Sequence, residues 1–155
     1  MDNVSGLRVA GGGASRAFER RTPNSRESHE GAPPTRAPLL RAERAEAHRG
    51  RAVSASTPEE RFVESYRAAR YAAGALLLPR GRKRGPSDVW HRLGDEIPEL
   101  REWAVAFGGY STLAAAVEDG LPRTVSPRMA DDFLWAVGRF LDLVDQRLGV
   151  LGPAA

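Results

Sequence analysis

The sequence predicts an all-α fold, a bundle of four to five helices behind a disordered N-terminal tail. Three observations point there. No stretch alternates polar and apolar residues with period two for long enough to make a strand. From Phe62 onward, apolar residues recur instead at steps of three and four. Helix start and stop signals then punctuate the chain, with Thr57-Pro58 and Ser126-Pro127 as starts and Pro79 and Gly149 as stops.

Residues 1–38 read as the tail. They carry GGG at 11–13, TPNS at 22–25 and APPTRAP at 32–38, with few large apolar side chains. Such a segment buries too little surface to offset its ordering entropy. Residues 39–150 read as the helical domain. Its first helix, LLRAERAEAHRGRAVSAS, is rich in the good helix formers Ala, Glu and Arg. Only Leu39, Leu40 and Val53 are large and apolar, so this helix is expected to pack through alanine and to leave His48 on the surface. Gly50 weakens it.

The second helix has a strong start. In TPEE, Thr57 is the N-cap, Pro58 the first helical residue and Glu60 the third, which makes a capping box. Phe62, Tyr66, Ala69, Ala73 and Leu76/Leu77 form one stripe, which ends near Leu78 because Pro79 disfavours helical geometry before it. Ser87 is the expected N-cap of a third region, with Asp88 in its first turn and Trp90, Leu93 and Ile97 as its stripe. Pro98 interrupts that region. Leu100, Trp103, Phe107 and Val117 continue the rhythm past Gly108-Gly109, which should loosen it. The last helix runs from the Ser126 cap through Met129, Phe133, Val137, Phe140, Leu141, Val144 and Leu148 to Gly149.

Composition excludes several functions. The chain of 155 residues has no cysteine, so it has no disulfide and no thiolate metal site. Its histidines, His29, His48 and His91, are scattered, and neither a metal nor a cofactor is expected. The longest apolar run, YAAGALLL, falls far short of the ~20 residues that cross a membrane. The N-terminus lacks a signal-peptide core, so a cytoplasmic protein is expected. The net charge of +3 divides unevenly: +2 over residues 1–38, +6 over 39–86 and −5 over 87–155. The basic half is expected either to meet the acidic half, within one chain or across a dimer, or to form an anion-binding surface.

The chemistry concentrates in RGRKRGPSDVWHRLGDE, residues 80–96. Arg80, Arg82, Lys83 and Arg84 sit beside two glycines and are the best candidates to contact phosphate. Arg67 and Arg70 on the preceding helix would assist them. The chain has no Gly-rich phosphate loop and no nucleophile signature.

The blocks PEERFVESYRAARYAAGALLL, RGRKRGPSDVWHRL, IPELREWAVAF and DGLPRTVSPRMADDFLWAVGRFLDLVDQRLG follow one another in an order that resembles the HEPN superfamily. More narrowly, they are similar to small stand-alone HEPN proteins of GC-rich Gram-positive bacteria. The resemblance spans residues 39–149. It implies a bundle of four main helices, often dimeric, and association with RNA. Many members cleave RNA without metal, using an Arg followed after four to six residues by a His. Arg84 and His91, with GPSDVW between them, meet that spacing. In that role His91 would move the proton of a ribose 2′-hydroxyl and Arg84 would stabilise charge on the phosphate. In active members the pair stands at the final helix with a polar residue after the Arg. Here it precedes the third helix, and Gly85 follows the Arg. The expectation is therefore a non-catalytic module that binds RNA or a nucleotide through its basic loop. The alternatives are a scaffold for dimerisation or a protein partner, and a metal-independent ribonuclease.

Overall fold

The computed structural model describes residues 36–82 and 88–149. They form six α-helices and, among the described residues, no strand: α1 Arg36–Ser54, α2 Pro58–Leu77, α3 Val89–Glu96, α4 Arg101–Gly108, α5 Ser111–Glu118 and α6 Pro127–Leu148. The all-α prediction holds. The expected tail up to residue 35 lies outside the described residues, and α1 already includes Arg36, Ala37 and Pro38.

The cap signals act as read. Thr57 Oγ1 accepts from the Glu60 amide at 3.1 Å. The Glu60 carboxylate reaches back one residue further than a standard capping box and accepts from the Ser56 amide. Ser126 Oγ accepts from the Met129 amide at 3.0 Å, and Gly149 closes α6 at φ 74°, where a side chain would be strained. Helix α2 stops at Leu77, and a 3-10 turn over Leu78–Arg80 carries Pro79. The third region differs from its reading. Helix α3 starts at Val89 with Asp88 at the cap position and not in the first turn. The predicted cap, Ser87, lies outside the described residues. The stretch after Pro98 divides at Gly109-Tyr110 into two helices of eight residues each.

Helix α2 is the axis of the bundle. It packs on α1, α3, α5 and α6 at once. Its expected single stripe is too narrow, because Phe62, Val63, Glu64, Ser65 and Tyr66 are buried in succession and so are Ala72 to Leu77. Four neighbouring helices explain this, and alanine is small enough to let them approach. Helix α1 packs through Ala42, Ala45 and Ala52, as expected. On the other side an aromatic cluster joins α3, α4 and α6: Phe107 lies 5.4 Å from Trp90, 5.2 Å from Phe140 and 5.7 Å from Phe133. Trp90 is only 2% exposed, and its Nε1–H donates to Tyr66 Oη at 3.0 Å. That bond satisfies the one polar atom of a ring otherwise sealed in apolar surroundings.

The basic and acidic halves meet within the chain. Arg61 of α2 pairs with Asp131 of α6 at 2.5 Å, and Arg67 of α2 pairs with Glu118 of α5 at 3.0 Å. Each such pair at the surface is worth about 0–1 kcal/mol, so together they orient the helices more than they hold them. Among the described residues no helix is long and apolar enough to cross a membrane.

Candidate functional site

Helices α1 and α2 run antiparallel, so residues before the turn at 55–57 meet residues after it. Arg61 Nε donates to the Ala52 carbonyl, His48 meets Glu64, and Arg41 lies over Gly74. Along this seam a cleft of about 570 Å³ opens, lined by Arg41 and His48 of α1, Arg67, Arg70, Tyr71 and Gly74 of α2, Val89 of α3 and Glu118 of α5. A cleft of that size suits a ligand of nucleotide dimensions.

A histidine–glutamate pair forms one wall of the cleft. His48 Nδ1 stands 2.6 Å from Glu64 Oε2, and the two side chains are 14% and 12% exposed. The other carboxylate oxygen, Oε1, accepts from Arg67 Nη1 at 2.7 Å, and Arg67 Nε also donates to Glu118 at 3.0 Å. Burial pushes the Glu64 carboxyl up, but the hydrogen bonds from His48 and Arg67 outweigh it and hold its pKa below the ordinary value. The ring of Tyr71 stacks on His48 with centroids 5.2 Å apart and planes within 13°. His48 is therefore oriented from two directions. Its expected place on the exposed surface is a misreading. It lies three residues after the buried Ala45 and four before the buried Ala52, on the face that packs against α2.

The structure separates the residues proposed for nucleic-acid binding. Arg70 is exposed at the cleft, and Arg41 joins it there; neither forms an ion pair among the described residues. Arg67 is engaged by its two carboxylates. Arg80, some 15 Å further along, donates to the Glu96 carbonyl at 3.0 Å and ties the end of α2 to α3. Arg82 is exposed, while Lys83 and Arg84 lie outside the described residues. His91 stands on the outer face of α3, 74% exposed, with Nε2 3.1 Å from Asp95. Its partner Arg84 has no described position to compare.

Sequence reasoning missed Arg41, His48, Glu64 and Tyr71 as a group. The only available signal was His48 in register with the alanines of α1, and a stripe made of alanine is hard to tell from an exposed helix face. Trp135 was also passed over. It is 66% exposed on α6, with the Arg139 guanidinium 4.9 Å from its ring centre and Val53 of α1 beside it.

A family model described as SAV_6107-like HEPN matches residues 52–145, from the end of α1 to near the end of α6. Arg67, Arg70 and Tyr71 fall inside that span, and Arg41 and His48 precede it. No curated protein and no solved structure matches the chain significantly. Since the matched span takes in well over half of the sequence and the whole of α2 to α5, the chain belongs to the SAV_6107-like HEPN family.

Proposed function

We propose that this HEPN domain is a non-catalytic module that binds RNA or a nucleotide through its basic surface. The observation that carries the reading is the α1–α2 cleft, where Arg41 and Arg70 present guanidinium groups that form no ion pair among the described residues, beside a polar and aromatic wall. Guanidinium groups without carboxylate partners are what a phosphate requires. Arg82 is exposed and adds to the basic surface, and Arg67 assists by shaping the wall rather than by offering a free charge.

The test is the salt dependence of binding to single-stranded RNA by fluorescence anisotropy. Replacing Arg41 and Arg70 with Gln should weaken binding and flatten the logarithmic salt slope by about 1.4, at roughly 0.7 for each lost phosphate contact. A loop variant, Arg80/Arg82/Lys83/Arg84→Ala, measures the share of the second surface. Salt-insensitive binding, or none, refutes the proposal.

Two other readings have their own tests. The exposed Trp135 with Val53 favours a face for a protein partner or a second copy. Sedimentation that shows a monomer at every concentration, for wild type and Trp135→Ala alike, counts against a dimer there. Metal-independent cleavage by Arg84 and His91 has less support, because His91 is turned to solvent and paired with Asp95. RNA cleavage abolished by His91→Ala would establish it.

A further inference from the structure

The unused nitrogen of His48 gives the cleft a specific chemistry. Glu64 accepts from Nδ1–H, and in the imidazole tautomer with its hydrogen at Nδ1 the other ring nitrogen, Nε2, offers a lone pair. The Arg51 guanidinium, 3.4 Å from the same Nδ1, lies too far away to displace that bond. No hydrogen bond is formed at Nε2, yet no buried side-chain nitrogen or oxygen lacks a partner among the described residues. Nε2 therefore reaches solvent, and His48 lines the cleft. A hydrogen-bond acceptor thus stands among guanidinium donors.

The second observation is Gly74. A Cβ there would stand 2.7 Å from Arg41 Nη1, so the missing side chain is what lets the Arg41 guanidinium lie against α2 at the cleft. In a helix interior glycine costs about 1 kcal/mol relative to alanine, and what occupies the space it frees is a cation.

We propose that the cleft is a sugar-phosphate subsite, in which Arg41 and Arg70 hold a phosphate and His48 Nε2 accepts a hydrogen bond from the neighbouring sugar hydroxyl. The domain then prefers ribose to deoxyribose, because only ribose offers a 2′-hydroxyl to that acceptor. This rests on the binding function proposed above and adds its specificity. The free phosphate-binding arginines alone would not distinguish the two sugars.

The experiment compares the full chain on three probes: single-stranded RNA, DNA of the same sequence, and a ribonucleoside 3′-monophosphate as competitor. Wild type should bind RNA about tenfold more tightly than DNA, the value of one hydrogen bond whose partner is otherwise left unpaired. His48→Phe keeps a flat ring on Tyr71 and removes Nε2, so RNA affinity should fall to that for DNA and the preference should vanish. Gly74→Ala is favoured by helix propensity and displaces only the flexible end of Arg41, so it should fold well, weaken both polymers by about three- to tenfold and keep the preference. Competition by the monophosphate identifies a free nucleotide as the ligand; its absence identifies a residue within a strand. Equal binding of RNA and DNA by wild type overturns the subsite but leaves the binding function standing. So does a preference that survives His48→Phe, or a Gly74→Ala variant that binds like wild type. Binding of none of the probes overturns both proposals.

Discussion

Removal of the Glu64 carboxylate should weaken the contact between α1 and α2. In Glu64→Ala, His48 Nδ1–H loses a partner at 2.6 Å and Arg67 loses one at 2.7 Å. Hydrogen bonds to charged groups are worth about 1.5–3 kcal/mol each. The His48 bond is nearly sealed from water, whereas Arg67 is 44% exposed and keeps Glu118, so its share falls at or below the low end. The sum is about 2–4 kcal/mol, or roughly 10–20 °C in Tm for a domain of this size. The loss should depend on pH. Burial raises the Glu64 pKa, the bonds from His48 and Arg67 lower it further than burial raises it, and the net is a folded pKa below the ordinary one. A depressed carboxylate contributes stability above its unfolded pKa and loses it as pH falls through the folded value. The gap between wild type and Glu64→Ala should therefore be full at neutral pH and shrink in acid. Urea unfolding followed by circular dichroism, from neutral to strongly acid pH, measures both. A neutral-pH loss under about 0.5 kcal/mol, the scale of an ordinary surface substitution, would refute the reasoning, and so would a gap that persists in acid.

Three further outcomes follow from the packing. Trp90→Phe removes the donor that satisfies Tyr66 and part of a buried ring, and should cost about 1–3 kcal/mol in urea unfolding; no loss would show that the Trp90–Tyr66 bond does not matter. Gly94→Ala places its Cβ 3.6 Å from the Ala104 Cβ, an ordinary contact, so it should raise stability by about 0.5–1 kcal/mol through helix propensity in α3; a lowered Tm would contradict that. Burial first, and then the Asp142 charge, raise the pKa of Asp145. A raised carboxyl contributes stability below its unfolded pKa and loses it as pH rises through the folded one. Asp145→Asn should thus match or exceed wild type at neutral pH and lose that standing in acid; clear destabilisation at neutral pH would reverse the sign.

The sequence by itself determined the helical class and most of the boundaries, because those are local. Thr57, Pro58, Ser126, Pro127 and Gly149 act on backbone groups within a few residues, and each acts as its type requires. It also determined which faces of α3 and α6 turn inward, because large residues mark a narrow stripe. Position 54 against 57 in the turn, by contrast, says nothing about what α1 meets. Only the tertiary structure decided that α2 is packed by four helices at once, that His48 faces Glu64 and Tyr71, and that Arg41 lies over Gly74. The basic loop at Arg80 was legible as charge, but its first arginine is bound to the Glu96 carbonyl, while Arg41 of α1 and Arg70 of α2, which form no ion pair among the described residues, stand at the cleft. Charge can be counted along a chain. Whether a charge is free depends on which carboxylates and carbonyls the fold brings within reach, and those come from residues 3 to 70 positions away.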